Sequence, residues 1–140
     1  MPVLPRFPLA LPVTDLDRTR AFYEDVLHAG IGRTDPRWVD LDLWGHQVTL
    51  HLIDEAAAGE PTNPVDGEDV PVRHFGVILA WDDWHALRDR LVASGAEFLI
   101  QPQLRFQGQP GEQATLFLRD PSGNAIEVKS FFDDASVFRT

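Results

Sequence analysis

Apolar and polar residues alternate in several short segments of the chain, and this period of two predicts β-strands. We expect strands at residues 7–13, on both sides of a turn at 44–46, and at 74–80, 97–103, 114–120 and 125–131. Helical spacing of apolar residues predicts helices over residues 15–30, capped by Thr14 or Asp15, and over residues 82–96. The side chains expected on their buried faces are Leu16, Ala21, Phe22, Val26 and Leu27 in the first helix, and Trp84, Leu87, Leu91 and Val92 in the second.

The predicted order of elements, a strand, a helix and then further strands, occurs twice along the chain. Leu9-Ala10-Leu11 overlays Phe75-Gly76-Val77, and "TLHL" overlays "AIEV", which pairs His51 with Glu127. We therefore expect one domain over residues 1–140, with a first module at about 7–53, a second at about 72–132 and a tail at 133–140. Residues 54–71, acidic and rich in Pro, Gly and Ala, are expected to form a linker or an exposed loop.

Side chains on alternate positions of a strand point to opposite faces of a sheet. One face of each predicted strand is apolar and suits packing under a helix, whereas the other is small or polar. If the sheets curl, the second faces line a cleft, and His51, His74 and Glu127 all fall on that side. Two imidazoles and one carboxylate are ligands typical of open non-haem iron sites and of some zinc sites. The alternative for His74 is a histidine at the start of a strand that bonds a loop.

Three segments, "LALPVTDLDRTRAFYEDVL", "HFGVILA" and "LFLRDPSGNAIEVKSF", resemble the vicinal-oxygen-chelate superfamily of glyoxalases, bleomycin resistance proteins and extradiol dioxygenases. The resemblance covers residues 7–132. It implies an α+β fold of two βαβββ modules with pseudo-twofold symmetry, whose curved mixed sheets enclose a cleft. It also implies a homodimer and a small-molecule substrate or ligand.

Metal ligands in such proteins come from four strand positions, which fall here on Pro8, His51, His74 and Glu127. Proline has no ligating side chain, so two outcomes stay open. His51, His74 and Glu127 hold a divalent Fe, Mn, Ni or Zn ion, or the cleft binds an organic ligand without metal.

Composition narrows the classes of partner. The chain has 140 residues, no cysteine and a formal net charge of −10. Such a charge disfavours nucleic acid and anionic membranes. The absence of cysteine excludes thiolate sites and favours the cytoplasm. The proline-broken N-terminus does not read as a signal peptide.

The resemblance favours a metal-dependent enzyme acting on a substrate with vicinal oxygens, as a ring-cleaving dioxygenase, isomerase or lyase does. Glu127 would then serve both as ligand and as catalytic base. Candidate substrate contacts are Gln47, Thr49, Arg105, Gln113 and Phe117. The loop at 103–113 is either a lid over the cleft or an ordinary hairpin loop. The alternative function is metal-free binding and sequestration of a drug or antibiotic.

Overall fold

The computed structural model describes residues 4–54, 62–65, 67–71 and 73–139. Two helices, α1 (Leu16–Asp25) and α2 (Trp81–Ala93), accompany ten strands and a C-terminal 3-10 helix, Asp134–Phe138. The strands are β1 (Pro8–Val13), β2 (Gly30–Asp35), β3 (Trp38–Leu43), β4 (His46–Leu52), β5 (Thr62–Val65), β6 (Glu68–Pro71), β7 (Phe75–Ile78), β8 (Ile100–Arg105), β9 (Gln113–Arg119) and β10 (Ala125–Phe131). No helix in these residues is long and apolar enough to cross a membrane.

The chain is a mixed α+β protein in which one topology occurs twice. The first sheet has the strand order β1-β4-β3-β2, and the second has β7-β10-β9-β8. In each sheet the strand that precedes the helix pairs in parallel with the last strand of its module. The two βαβββ modules implied by the resemblance are therefore present. By contacts the chain forms two compact units, residues 1–58 with 120–124, and residues 59–119 with 125–140.

Helix α1 begins at the predicted cap, because the Asp15 carboxylate accepts a hydrogen bond from the Arg18 amide at 3.0 Å. It ends at Asp25, short of the predicted Gly30. His28 has a φ of 57°, which turns the chain out of the helix before Gly30 is reached. Gly30 instead begins β2, a strand that the sequence pattern missed. Its segment, "GIGRTD", lacks the apolar alternation that identified the other strands.

Helix α2 buries Trp84, Leu87 and Leu91 as expected, but the expectation for Val92 is wrong, since Val92 is 57% exposed. At 3.6 residues per turn, a residue next to the buried Leu91 is rotated by about 100° toward solvent. Gly95, at a φ of 75°, follows the helix and permits the reversal of the chain.

Part of the predicted linker is ordered structure. β5 and β6 form an antiparallel hairpin within residues 54–71, whereas residues 55–61 and 66 lie outside the described residues. Val70 is buried against Ile100 and Phe117 of the second sheet, and Val65 packs on the same cluster. The polar composition of the segment gave no sign of this hairpin, because its packing on the second sheet rests on two valines.

The motif "DPSGN" is tied to helix α1. The Tyr23 hydroxyl donates to Asp120 Oδ2 at 2.8 Å, and the Asn124 side-chain amide donates to the same oxygen and to the Pro12 carbonyl. Burial, reinforced by the nearby Asp120 carboxylate that accepts its hydrogen bond, raises the pKa of Tyr23 well above 10.0. Two of the three segments that carry the family resemblance are therefore hydrogen-bonded to each other.

Candidate functional site

The second unit brings two of the predicted ligands together. His74 directly precedes β7 and Glu127 lies on β10, and these strands pair in parallel. His74 Nε2 lies 4.0 Å from Glu127 Oε1, with side chains 28% and 22% exposed. This separation is too long for a hydrogen bond. His74 Nε2 and Glu127 Oε1 therefore face each other without a direct hydrogen bond, and both side chains are partly exposed.

The backbone fixes the orientation of the His74 ring. His74 Nδ1 lies 2.8 Å from the Pro71 carbonyl oxygen. A carbonyl oxygen only accepts, so Nδ1 carries the hydrogen, and a metal ligated by this ring would be bound through Nε2, the nitrogen nearer Glu127. Metal-ligating histidines are commonly held in this way. The ring also packs edge-on against Phe117, with centroids 5.2 Å apart.

Glu127 has two neighbours on the same face of the sheet. The Thr115 hydroxyl donates to Oε2 at 3.3 Å, and the Lys129 ammonium lies 3.7 Å from Oε1. Thr115 bonds one oxygen of the carboxylate, and Lys129 supplies a positive charge at the other, which is the oxygen that His74 faces.

Close backbone approach occurs beside this pair. A Cβ added at Gly76 would overlap the backbone carbonyl oxygen of Glu127. Only glycine fits there, because any side chain would push β7 away from β10. The pair borders an open cavity of about 230 Å³, lined by residues 74–78, Glu127 and Lys129.

The remaining predicted ligand and two predicted substrate contacts lie in the first unit. His51, Thr49 and Gln47 share one face of β4, as the alternation predicted, and His51 is exposed. The Thr49 hydroxyl donates to Asp40 Oδ1 at 2.7 Å. Trp38 lies opposite His51, and Asp40 lies opposite Thr49.

The strand registers correct the sequence overlay. Ala10 lies opposite Thr49, whereas its counterpart Gly76 lies opposite Glu127. The counterpart of Glu127 is therefore Thr49, and pairing it with His51 is wrong by two residues. A slip of two residues leaves every side chain on the same face, so the apolar pattern could not detect it.

The other predicted substrate contacts differ in accessibility. Phe117 is 2% exposed and packs beneath Val70 and the His74 ring. Arg105 and Gln113, both half-buried, end β8 and begin β9, where they lie opposite each other. The loop between them contains successive turns, and Gly108 N–H donates to Glu112 Oε1 at 2.9 Å.

The donor set fits part of a metal site. Two ligands about 2.1 Å from one zinc ion at a tetrahedral angle lie about 3.4 Å apart, so His74 Nε2 and Glu127 Oε1, which are 4.0 Å apart, would have to move closer to share an ion. The hydrogen bond at Nδ1 leaves Nε2 as the nitrogen that could ligate a metal. Within the described ranges, however, no three His, Asp or Glu side chains are grouped closely enough to hold a metal ion. His74 and Glu127 thus offer two ligands, with Lys129 as a competing cation.

Sequence reasoning missed three features of these surfaces. The Pro71 carbonyl leaves no trace in sequence because any residue supplies that atom. Lys129 was detectable, since it is two residues from Glu127 on the same strand. Asp40 was also detectable, because the alternation in "WVDLDL" puts its carboxylate on the same sheet face as Trp38.

The repeated topology, with His74 and Glu127 on paired strands, defines a class of proteins built from two βαβββ modules. The chain belongs to the Glyoxalase/Bleomycin resistance protein/Dioxygenase superfamily, whose family model matches residues 7–128. No curated protein matches the chain.

Solved structures agree with this assignment. A glyoxalase/bleomycin resistance protein/dioxygenase from Alicyclobacillus acidocaldarius is 32% identical, with 96% of each chain covered and a TM-score of 0.79. Lactoylglutathione lyase from Agrobacterium tumefaciens is 19% identical over 100% of both chains, with a TM-score of 0.65. The fosfomycin resistance protein FosX from Listeria monocytogenes is 18% identical over 93% of both, with a TM-score of 0.64. The last two likenesses show the fold.

Proposed function

We propose that this protein is a divalent-metal-dependent enzyme acting on a small substrate with adjacent oxygen atoms. The observation that carries the proposal is the His74 ring, which is oriented by the Pro71 carbonyl and has Nε2 4.0 Å from Glu127 Oε1. His74 and Glu127 would hold the metal, and His51 is proposed as the third ligand. When bound, a divalent Fe, Mn, Ni or Zn ion supplies Lewis-acid polarisation of substrate oxygens.

The protein's own groups then have separate tasks. The Pro71 carbonyl keeps the His74 ring in one tautomer, and Thr115 orients the Glu127 carboxylate. We propose that Glu127 also accepts the substrate proton, as a carboxylate beside the reacting carbon can do. The open cavity next to Glu127 gives a small substrate access to both groups.

The experiment is metal analysis of untagged protein after reconstitution with Fe²⁺, Mn²⁺, Ni²⁺ or Zn²⁺. Stoichiometric metal is expected in the natural protein, and we expect it to be lost in His74→Ala and Glu127→Ala. His51→Ala tests the third ligand in the same assay. Failure of all four ions to bind the natural protein would sink the proposal.

His85→Gln is the matched control. His85 Nδ1 also lies 2.8 Å from a backbone carbonyl oxygen, that of Trp81, but its ring packs between Trp81 and Trp84. We expect metal content to be unchanged in this variant. Equal losses in His85→Gln and His74→Ala would assign the effect to folding.

A second candidate is metal-free binding of a small molecule, and the position of Lys129 favours it. The ammonium already forms an ion pair, at 3.7 Å, with the Glu127 oxygen to which a metal would bind. Pro8, which replaces a ligand of the family pattern, supports the same alternative. Ligand binding by metal-free protein that persists in His74→Ala would favour this function over the enzyme.

A further inference from the structure

The first unit contains an arginine held in a defined orientation by a buried carboxylate. Arg33 Nε donates to Asp40 Oδ2 at 3.2 Å, and the guanidinium carbon lies 5.7 Å from the centre of the Trp38 ring. The Arg33 side chain is 80% exposed, whereas that of Asp40 is only 10% exposed. The anchor is therefore inside the fold while the guanidinium faces solvent.

An irregularity in the sheet creates this contact. Ile31 pairs with Leu41 and Thr34 pairs with Val39, so Gly32 and Arg33 together oppose the single residue Asp40. Such a bulge redirects side chains and is common beside functional sites. A Cβ added at Gly32 would lie 3.4 Å from the Cβ of Asp40, so the glycine leaves room for the carboxylate.

Burial of the Asp40 carboxylate costs free energy unless its oxygens are bonded. Both oxygens have partners, because Oδ1 accepts from Thr49 and Oδ2 accepts from Arg33. The bond uses the Nε edge of the guanidinium. In the part of the chain that the structure describes, the terminal nitrogens have no second carboxylate partner. They form a fork that can bind two oxygens of one anion.

We propose that Arg33 is an anion-binding residue that recognises a carboxylate or phosphonate group of a small organic ligand over Trp38. The neighbouring strand places Thr49 and His51 on the same face, opposite Asp40 and Trp38. This anion site requires no metal and goes beyond the proposed function. Asp40 is a positioning residue, since it acts through Arg33.

The second helix provides a close comparison. Arg88 also stacks on a tryptophan, with 5.7 Å to the Trp84 ring centre, and its Nε also donates to an aspartate, Asp89. A terminal nitrogen of Arg88, however, also lies 2.8 Å from the Asp89 carboxylate, so part of its fork is already occupied. The contact of Arg33 with Asp40 runs through Nε. Arg88 therefore serves as a matched control.

The test is titration of the full-length protein with oxalate and with methylphosphonate at constant ionic strength. Binding is monitored through the NMR signal of the Trp38 indole N–H. We expect saturable shifts in the natural protein and at least about tenfold weaker binding in Arg33→Gln, as the loss of charged hydrogen bonds predicts. Arg33→Lys should bind with intermediate affinity because it keeps the charge but lacks the fork. Arg88→Gln should bind as the natural protein does.

Asp40→Asn keeps the shape of the anchor and removes its charge. We expect weaker binding with the circular dichroism spectrum retained, which a purely structural role would not produce. Preference for oxalate identifies a carboxylate ligand, and preference for methylphosphonate identifies a phosphonate ligand. Equal affinity in natural protein and Arg33→Gln, or no saturable shift in natural protein, overturns the proposal.

Discussion

Lys129 is the only lysine of the chain, and its ammonium lies 3.7 Å from Glu127 Oε1. The side chain belongs to the same strand face as Glu127 because the two are separated by one residue. A divalent cation that binds His74 and Glu127 must displace this ammonium, or its binding is weakened by repulsion between the two positive charges. Lys129 therefore opposes metal binding at this position.

Replacement of Lys129 by glutamine is expected to raise the affinity for divalent metal by about tenfold, because a like charge next to the ligand is removed. Calorimetric titration with Zn²⁺ or Mn²⁺ measures the change. Since there is one lysine, isotopically labelled dimethyl-lysine also reports directly whether metal moves the ammonium.

The control for this prediction is Arg20→Gln, which removes a cation that also lies 3.7 Å from a carboxylate, that of Glu24 on helix α1. Metal affinity should not change in this variant. Unaltered metal affinity in Lys129→Gln would show that the ammonium does not compete.

At the scale of an element, the β5–β6 hairpin positions His74. Val70 is buried on the second sheet, and the next residue, Pro71, supplies the carbonyl that orients the His74 ring. A small apolar contact thus fixes the tautomer of a candidate ligand. The hairpin contributes to the site through this backbone carbonyl.

Val70→Ala is expected to lower the free energy of unfolding by about 2 kcal/mol, since buried methyl groups are lost and a cavity remains. It should also weaken metal binding, because Pro71 is no longer held. Urea unfolding and metal titration measure the two effects. Val92→Ala removes the same groups from a position 57% exposed and should change neither. Weakened binding in both variants would refute a specific role for the hairpin.

At the scale of the whole molecule, Tyr23 couples stability to pH. The phenol proton is bound more tightly in the folded protein than in the unfolded chain, because burial and Asp120 raise its pKa well above 10.0. Its contribution to stability is therefore complete below about pH 10 and is lost as the pH rises toward the folded-state pKa.

The sole tyrosine makes this measurable. Phenolate absorbance should appear only as the protein unfolds in alkali, and not at about pH 10, where a free phenol is half ionised. Tyr23→Phe should cost about 2 kcal/mol at neutral pH, through loss of a bond to a charged group. It should also flatten the alkaline fall in stability. Ionisation of Tyr23 near pH 10 in a fully folded protein would contradict the assigned burial.

Much of the fold was accessible from local patterns. Alternation identified β1, β3, β4, β9 and β10, and the motif "WGH" identified the turn that Trp44 and Gly45 make with positive φ. The missed strand β2 and hairpin β5–β6 have few apolar residues of their own. β2 is held by its pairing with β3, and the hairpin is held by Val65 and Val70 on the second sheet, neither of which a local pattern records.

Local patterns predicted a strand–helix–strand order written twice, although they missed β2, and they predicted the faces on which His51, His74 and Glu127 lie, because alternation is a property of each strand alone. Tertiary structure decided which residues meet. It set His74 against Glu127, tied Tyr23 to Asp120 across the sequence, and shifted the counterpart of Glu127 to Thr49. Register and long-range pairing depend on partners distant in the chain, so a period of two fixes the face of a side chain but not its neighbour.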